Sequence, residues 1–164
     1  MVVADRQTAG RDAVAPQCAL RIEWPKDLLI NGRKVCGILT EPREQRTPLG
    51  IGIHVHHQRS DFPLELREKV GSLQCDAGGT WDRAQLLPDV LTHLDGKVML
   101  LRSGGLDTVR REWADACALT GRTIRSGAVS GVVQSIDEFG ALMVETPEGT
   151  RPLMPGEIEL LDGA

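Results

Sequence analysis

The chain has 164 residues, is 41% apolar, and carries 19 basic and 23 acidic side chains for a net charge of −4. That length fits one ordinary domain, or one domain plus a small module. The acidic balance disfavours general nucleic-acid binding. With two Phe, three Trp and no Tyr, any core is mostly aliphatic. No signal peptide opens the chain, and no apolar run approaches the ~20 residues of a membrane span. Cys18, Cys36, Cys75 and Cys117 are far apart with no CxxC pair. The pattern fits reduced thiols in a cytoplasmic protein.

Val2 to Asp5 reads as a short strand and residues 6–18 as a loop. A strand over 19–24 ends at Trp24-Pro25, because proline supplies no N–H to a ladder. Asn31-Gly32 is a hairpin signal, since both residues tolerate positive φ. Residues 33–41 are the hairpin's second strand. Residues 42–48, with Pro42 and Pro48, make a turn. LGIGIHV at 49–55 reads as a third core strand, with Gly50 and Gly52 where a backbone or ligand comes close. Leu64, Leu66, Val70 and Leu73 suggest a short helix. Asp82 caps a longer one bearing Leu86, Leu87, Val90, Leu91, Leu94 and Val98, with Pro88 either kinking it or marking its start. A third helix carries Leu106, Val109, Trp113 and Cys117 and ends near Gly121. From Arg122 onward, short apolar strands alternate with turns at 137–140, 147–149 and 155–156, as in a small β-barrel. The expected domains are 1–120 and 121–164.

Residues 23–39, EWPKDLLINGRKVCGIL, resemble the signature hairpin of biotin protein ligases. There a Lys-Trp-Pro-Asn-Asp motif leads into a strand ending in Gly-Ile-Leu. VVADRQTAGR at 2–11 resembles the strand entering the family's Gly/Arg-rich loop. The runs GALMVE and GEIELL near the end resemble its SH3-like C-terminal domain. Glu23 stands at the lysine position of the motif and Lys26 at the asparagine position. Asp12-Ala13-Val14 follows Arg11 where the family alternates Gly and Arg. Only residues 13–19 separate that block from Leu20, which reads as an internal deletion of the central catalytic domain. The resemblance implies an α+β fold: a truncated ligase-type mixed sheet with helices on one face, then a small SH3-like barrel. The deletion is expected to leave an apolar sheet edge uncovered.

The resemblance also implies a chemistry. ATP, with Mg²⁺, activates the carboxylate of biotin to biotinyl-AMP, and a lysine of the biotin carboxyl carrier protein then attacks it. The first step brings a carboxylate onto a polyanion, so it needs cations and oriented N–H donors. By resemblance, Gln7 hydrogen-bonds biotin, and Gly10 and Arg11 belong to the adenylate loop. Asp27 holds Mg²⁺ or orients the loop, and Gly37, Gly50 and Gly52 form a pocket floor. Glu23 occupies the position of the catalytic lysine. A unit charge pair at ~4 Å is worth about 4 kcal/mol at an effective dielectric near 20. Reversing one sign turns that attraction into a comparable repulsion.

Each of these residues also has a plain reading beside the functional one. Gln7 to Arg11 can be a polar turn, Glu23 and Lys26 a surface ion pair, and the glycines packing residues. His54 and His56 would share a strand face, but no partner has zinc-site spacing. Two functions follow. One is an enzyme, a biotin–carrier-protein ligase. The other is a catalytically degenerate binding or interaction protein, or a non-functional deletion product. No membrane or nucleic-acid partner is expected, no bound prosthetic group is implied, and a homodimer is left open. Biotin-dependent pyrophosphate release separates enzyme from binder.

Overall fold

The computed structural model describes residues 18–44, 46–156 and 158–161. The expected strand at Val2–Asp5, the loop after it, and Gln7, Gly10 and Arg11 lie outside the described residues. The chain divides into two compact units, Val2–Gly96 and Lys97–Ala164.

In the first unit, Leu20–Glu23 (β1), Asp27–Ile30 (β2), Arg33–Thr40 (β3) and Leu49–Ile53 (β4) form a four-stranded sheet in the order β1-β2-β3-β4. All three pairings are antiparallel. Asn31 at φ 51° and Gly32 at φ 79° make the tight turn between β2 and β3. Among the described residues, the parallel pairing in this unit is an isolated bridge between Lys34 and Val70. That bridge, with Gly71 N–H donating to Lys34 O at 2.9 Å, explains why 64–73 is not a continuous helix. Sheet pairing pulls Val70 into an extended conformation. What remains is a 3₁₀ turn at Leu64–Leu66 and one π-type turn at Leu73–Ala77. The Ser72 hydroxyl caps the π turn by accepting from Cys75 N–H at 3.1 Å.

Helix α1 spans Arg83–Arg102. Its start is Arg83 and not Pro88, and Asp82 Oδ1 accepts from Ala84 N–H at 2.8 Å as an N-cap. Strand pairing sets the two faces of the sheet. Residues paired across strands share a face, so Ile22, Leu28, Cys36 and Ile53 form one row and Glu23, Asp27, Gly37 and Gly52 the next, on the opposite face. The first row faces the core, where Ile30, Val35, Cys36, Val55, Leu73 and Ala77 cluster with Leu28, Ile53 and Leu86 of α1. β4 is shorter than expected, and Leu49 and Ile51 are exposed. Among the described residues nothing pairs with its outer edge. Leu49, Ile51 and Ile53 face Leu86, Val90 and Leu94 of α1 across a groove of about 400 Å³.

In the second unit, α2 (Leu106–Ala116) is followed by β5 (Thr123–Ser126), β6 (Val129–Ile136), β7 (Leu142–Thr146), β8 (Gly149–Leu153) and β9 (Glu159–Leu160). The sheet order is β8-β7-β6-β5-β9, an SH3-like arrangement as expected. Ile124, Val133, Leu142 and Val144 are fully buried at its centre. α2 stops before Gly121 because the segment after Ala116 turns to the barrel, where Gly121 N–H donates to Val133 O at 2.8 Å. The Arg110 guanidinium donates twice to Ile136 O, at 3.0 and 2.7 Å, and ties α2 to β6. Among the described residues no helix is long and apolar enough to cross a membrane.

Two glycines test this architecture in opposite directions. A Cβ on Gly131 would sit 2.1 Å from Glu145 O, against the β7 backbone. Gly131→Ala should destabilise the fold by about 1–3 kcal/mol or more. Gly96, inside α1, has open space at its Cβ position, so Gly96→Ala should add about 0.5–1 kcal/mol. Urea unfolding measures both, and equal stability of the Gly131→Ala variant and the parent contradicts this packing.

Candidate functional site

The sheet face opposite the core carries the expected site residues that the structure describes. Gly37, Gly50 and Gly52 lie together there as the floor of a groove of about 490 Å³, with Lys26, Asp27, Lys34 and Leu39 around it. The pairings Asp27↔Gly37↔Gly52 and Leu39↔Gly50 put Asp27, Leu39 and the three glycines on one face.

The glycines have two different explanations. A Cβ on Gly37 would meet Asp27 Oδ1 at 3.3 Å and Lys34 Cε at 3.3 Å. That glycine makes room for an ion pair, Lys34 Nζ to Asp27 Oδ2 at 2.6 Å. A Cβ on Gly50 or Gly52 would make only ordinary contacts, at 3.8 and 3.9 Å, and neither residue has positive φ. Glycine inside a strand costs stability relative to alanine. Packing does not explain these two; the space above them does.

The ion pair depends on a bulge. In the β2–β3 pairing Leu28 faces Cys36 while Leu29 faces Lys34, so Val35 is an extra residue. Counted by simple alternation from Gly37, Lys34 would point into the opposite face. The bulge turns it onto the groove side, beside Asp27. Sequence reading missed Lys34 because nothing in the residue pattern marks a bulge there. Asp27 Oδ1 is buried with no hydrogen-bond partner, so only one of the two carboxylate oxygens is satisfied.

Glu23 is exposed at the end of β1, directly opposite Asp27. Like charges in opposed positions are unfavourable. Glu23 does not line the groove, whereas Lys26 does. The Lys26 carbonyl accepts from Ile38 N–H at 2.9 Å, which fixes the base of its side chain against β3.

His54 and His56 take separate partners. His54 Nδ1 is 3.0 Å from Gly71 O, and its ring packs against His57 and Phe62 with centroids 5.1 and 5.3 Å away. His56 Nε2 is 2.6 Å from Trp81 O. β4 ends at Ile53, so strand alternation does not extend to His54 and His56. Among the described residues no group of three or more His, Cys, Asp or Glu could hold a metal.

Comparisons with known proteins fit this geometry. The model of the biotin/lipoate A/B protein ligase family matches residues 11–57, which include the whole groove. The model of the biotin protein ligase C-terminal domain matches 120–161, which include β5 to β9. This chain belongs to the biotin protein ligase family. The bifunctional ligase/repressor BirA of Bacillus subtilis is 34% identical over 148 residues, covering 85% of this chain and 46% of that protein. The biotin--[acetyl-CoA-carboxylase] ligase of Paracoccus denitrificans is 29% identical over 156 residues, covering 89% of this chain and 65% of that protein. The chain thus spans about half to two thirds of these relatives' length. Among solved structures, the apo biotin protein ligase from Aquifex aeolicus shares the fold, with a TM-score of 0.78 and 24% identity over 86% of this chain and 65% of that one. The ligase from the same organism has also been solved in complex with biotin and ATP.

One thiol reports on the site from beneath. Burial pushes the Cys36 pKa up, the Asp27 carboxylate adds to the rise, and Lys34 partly offsets it. The thiol is therefore neutral at physiological pH and is no nucleophile. A raised folded value means its stabilising contribution is full below the ordinary thiol value of 9.0. It is lost as pH rises through the higher folded value. Unfolding free energy should fall more steeply above pH ~9 in the parent than in Cys36→Ala, and parallel curves contradict this.

Proposed function

We propose that this chain holds a biotin-type ligand, as the acid or its adenylate, on the glycine face, and that its own adenylation step is slow. The observation that carries the reading is the pair Gly50 and Gly52. Their strand positions tolerate a side chain, yet stay bare above a groove with lysines at its side. A flat ligand lying on the sheet backbone accounts for that bareness. The family's nucleotide, ATP with Mg²⁺, would be the adenylating substrate. In this reading the acceptor is a lysine of a biotin carboxyl carrier protein, in keeping with the relative named for acetyl-CoA carboxylase.

Slow adenylation follows from charge. The motif position that carries a lysine in the family carries Glu23, next to the carboxylate of Asp27. An uncompensated acid near a developing phosphate charge raises the barrier, and each ~1.4 kcal/mol is tenfold in rate. Of the residues expected to bind biotin or the adenylate, Gln7, Gly10 and Arg11 keep their proposed roles by resemblance alone. The runner-up reading, a fully active ligase, rests on the family relationship without any feature of this groove.

The test is biotin-dependent pyrophosphate release, with transfer of labelled biotin to a carrier domain. Release should be lower by orders of magnitude than for the Paracoccus denitrificans relative assayed alongside. Turnover at that relative's rate overturns the slow-adenylation reading. Gly52→Ala should keep or raise stability by up to about 1 kcal/mol while weakening biotin binding, and unchanged binding removes the glycine floor from the site.

A further inference from the structure

We propose that Lys26 is the cation that holds the anionic head of the ligand on the glycine face. The inference rests on the reading that this face is the ligand site. It assigns the charge there to a position where the family motif has asparagine.

Three observations converge on Lys26. First, the other lysine of the groove is already engaged, since Lys34 Nζ lies 2.6 Å from Asp27 Oδ2. An ammonium paired at that distance has its charge largely neutralised locally. Second, Lys26 lines the groove and is exposed. Among the described residues its side chain takes part in none of the ion pairs or hydrogen bonds. Third, its backbone is held beside the floor by the hydrogen bond from Ile38 N–H at 2.9 Å. The flexible stem is free while its origin is fixed.

Among the described residues the groove therefore carries one uncompensated positive charge, although the chain as a whole is at −4. Its floor is bare backbone, and Leu39, 56% exposed, flanks it on the same face. That combination suits an amphipathic anion: an apolar body on the glycines and Leu39, and a phosphate or carboxylate reaching Lys26. Glu23 cannot serve, because its carboxylate repels an anion and it stands outside the groove lining.

The experiment is calorimetric titration of the full chain with three separate probes: ATP, inorganic pyrophosphate and biotin. It compares the parent with Lys26→Gln, Lys26→Arg and Glu23→Gln. Whichever anion binds the parent should bind Lys26→Gln about tenfold more weakly or worse, as expected for loss of a charge-assisted contact. Lys26→Arg should retain binding within about threefold, and Glu23→Gln should tighten it slightly. Lys26 is exposed, so the thermal midpoint of Lys26→Gln should match the parent and keep folding out of the comparison. The arms separate the phosphate source from the carboxylate source. If ATP or pyrophosphate binds through Lys26 and biotin does not bind, the Lys26 assignment stands and the biotin reading falls. If biotin binds and Lys26→Gln is indifferent, the biotin reading stands and the assignment falls. Absence of binding by all three probes also overturns the assignment.

Discussion

The register of β3 is the constraint on which the first unit depends. This strand pairs with β2 on one side and β4 on the other, and its bulge at Val35 is the only break in either ladder. A one-residue slip would exchange the faces. It would put Cys36 and Ile38 in solvent and bury Gly37 with the Asp27–Lys34 ion pair. The apolar row and the glycine row are thus two results of one pairing. Burial of Cys36 at 4% exposure and Val35 at 2% fixes the register. The register in turn aligns Asp27, Gly37 and Gly52 on the open side.

Division of labour between the two faces follows. α1 lies over the face with Ile51 and Ile53, so hydrophobic stabilisation is taken from that side. The other face is left with glycines and charges, which contribute little to stability. Asp27 Oδ1 is buried without a partner and Glu23 faces Asp27. Both features are unfavourable in isolation. Local departures from what stability alone would select gather on the face that bears the groove, as expected where function and folding compete.

How much of this was legible in the sequence varied with the kind of signal. The hairpin could be read because Asn31-Gly32 demands positive φ and Trp24-Pro25 ends a ladder. The long helix could be read because Asp82 precedes apolar residues at helical spacing, Leu86, Val90, Leu94 and Val98. The barrel strands were legible because each is bounded by a turn rich in Gly, Pro or Asp. By contrast, 64–73 has helical spacing and is not a helix, because Val70 finds a bridge partner thirty-six residues earlier at Lys34. Leu49 to Ile53 has the composition of a buried strand, yet is mostly exposed at a sheet edge. Neither fact is encoded within the segment concerned. Asp27, Gly37, Gly50 and Gly52, singled out from motif positions, line one groove. Lys34 was not singled out, since only the bulge brings it to that face.

The pairing of Glu23 with Lys26 in the sequence can now be interpreted through geometry. Two residues separate them, Trp24, buried at 6% exposure, and Pro25. If the two formed a simple surface ion pair, both charges would cancel and the motif would have no net charge to offer a ligand. Instead, the strand pairing fixes Glu23 opposite Asp27, and the hydrogen bond to Ile38 holds Lys26 beside the groove floor. Lys26 lines the groove and Glu23 lies outside its lining. Relative to a motif with lysine first, the cation has been displaced along the turn toward the glycines, and an acid has taken the place it left. Such a displacement preserves attraction for an anion resting on the floor. It removes positive charge from the motif position where the family's lysine acts. Binding and activation make different demands on the position of one positive charge, and in the reading proposed above this hairpin satisfies the first at the expense of the second.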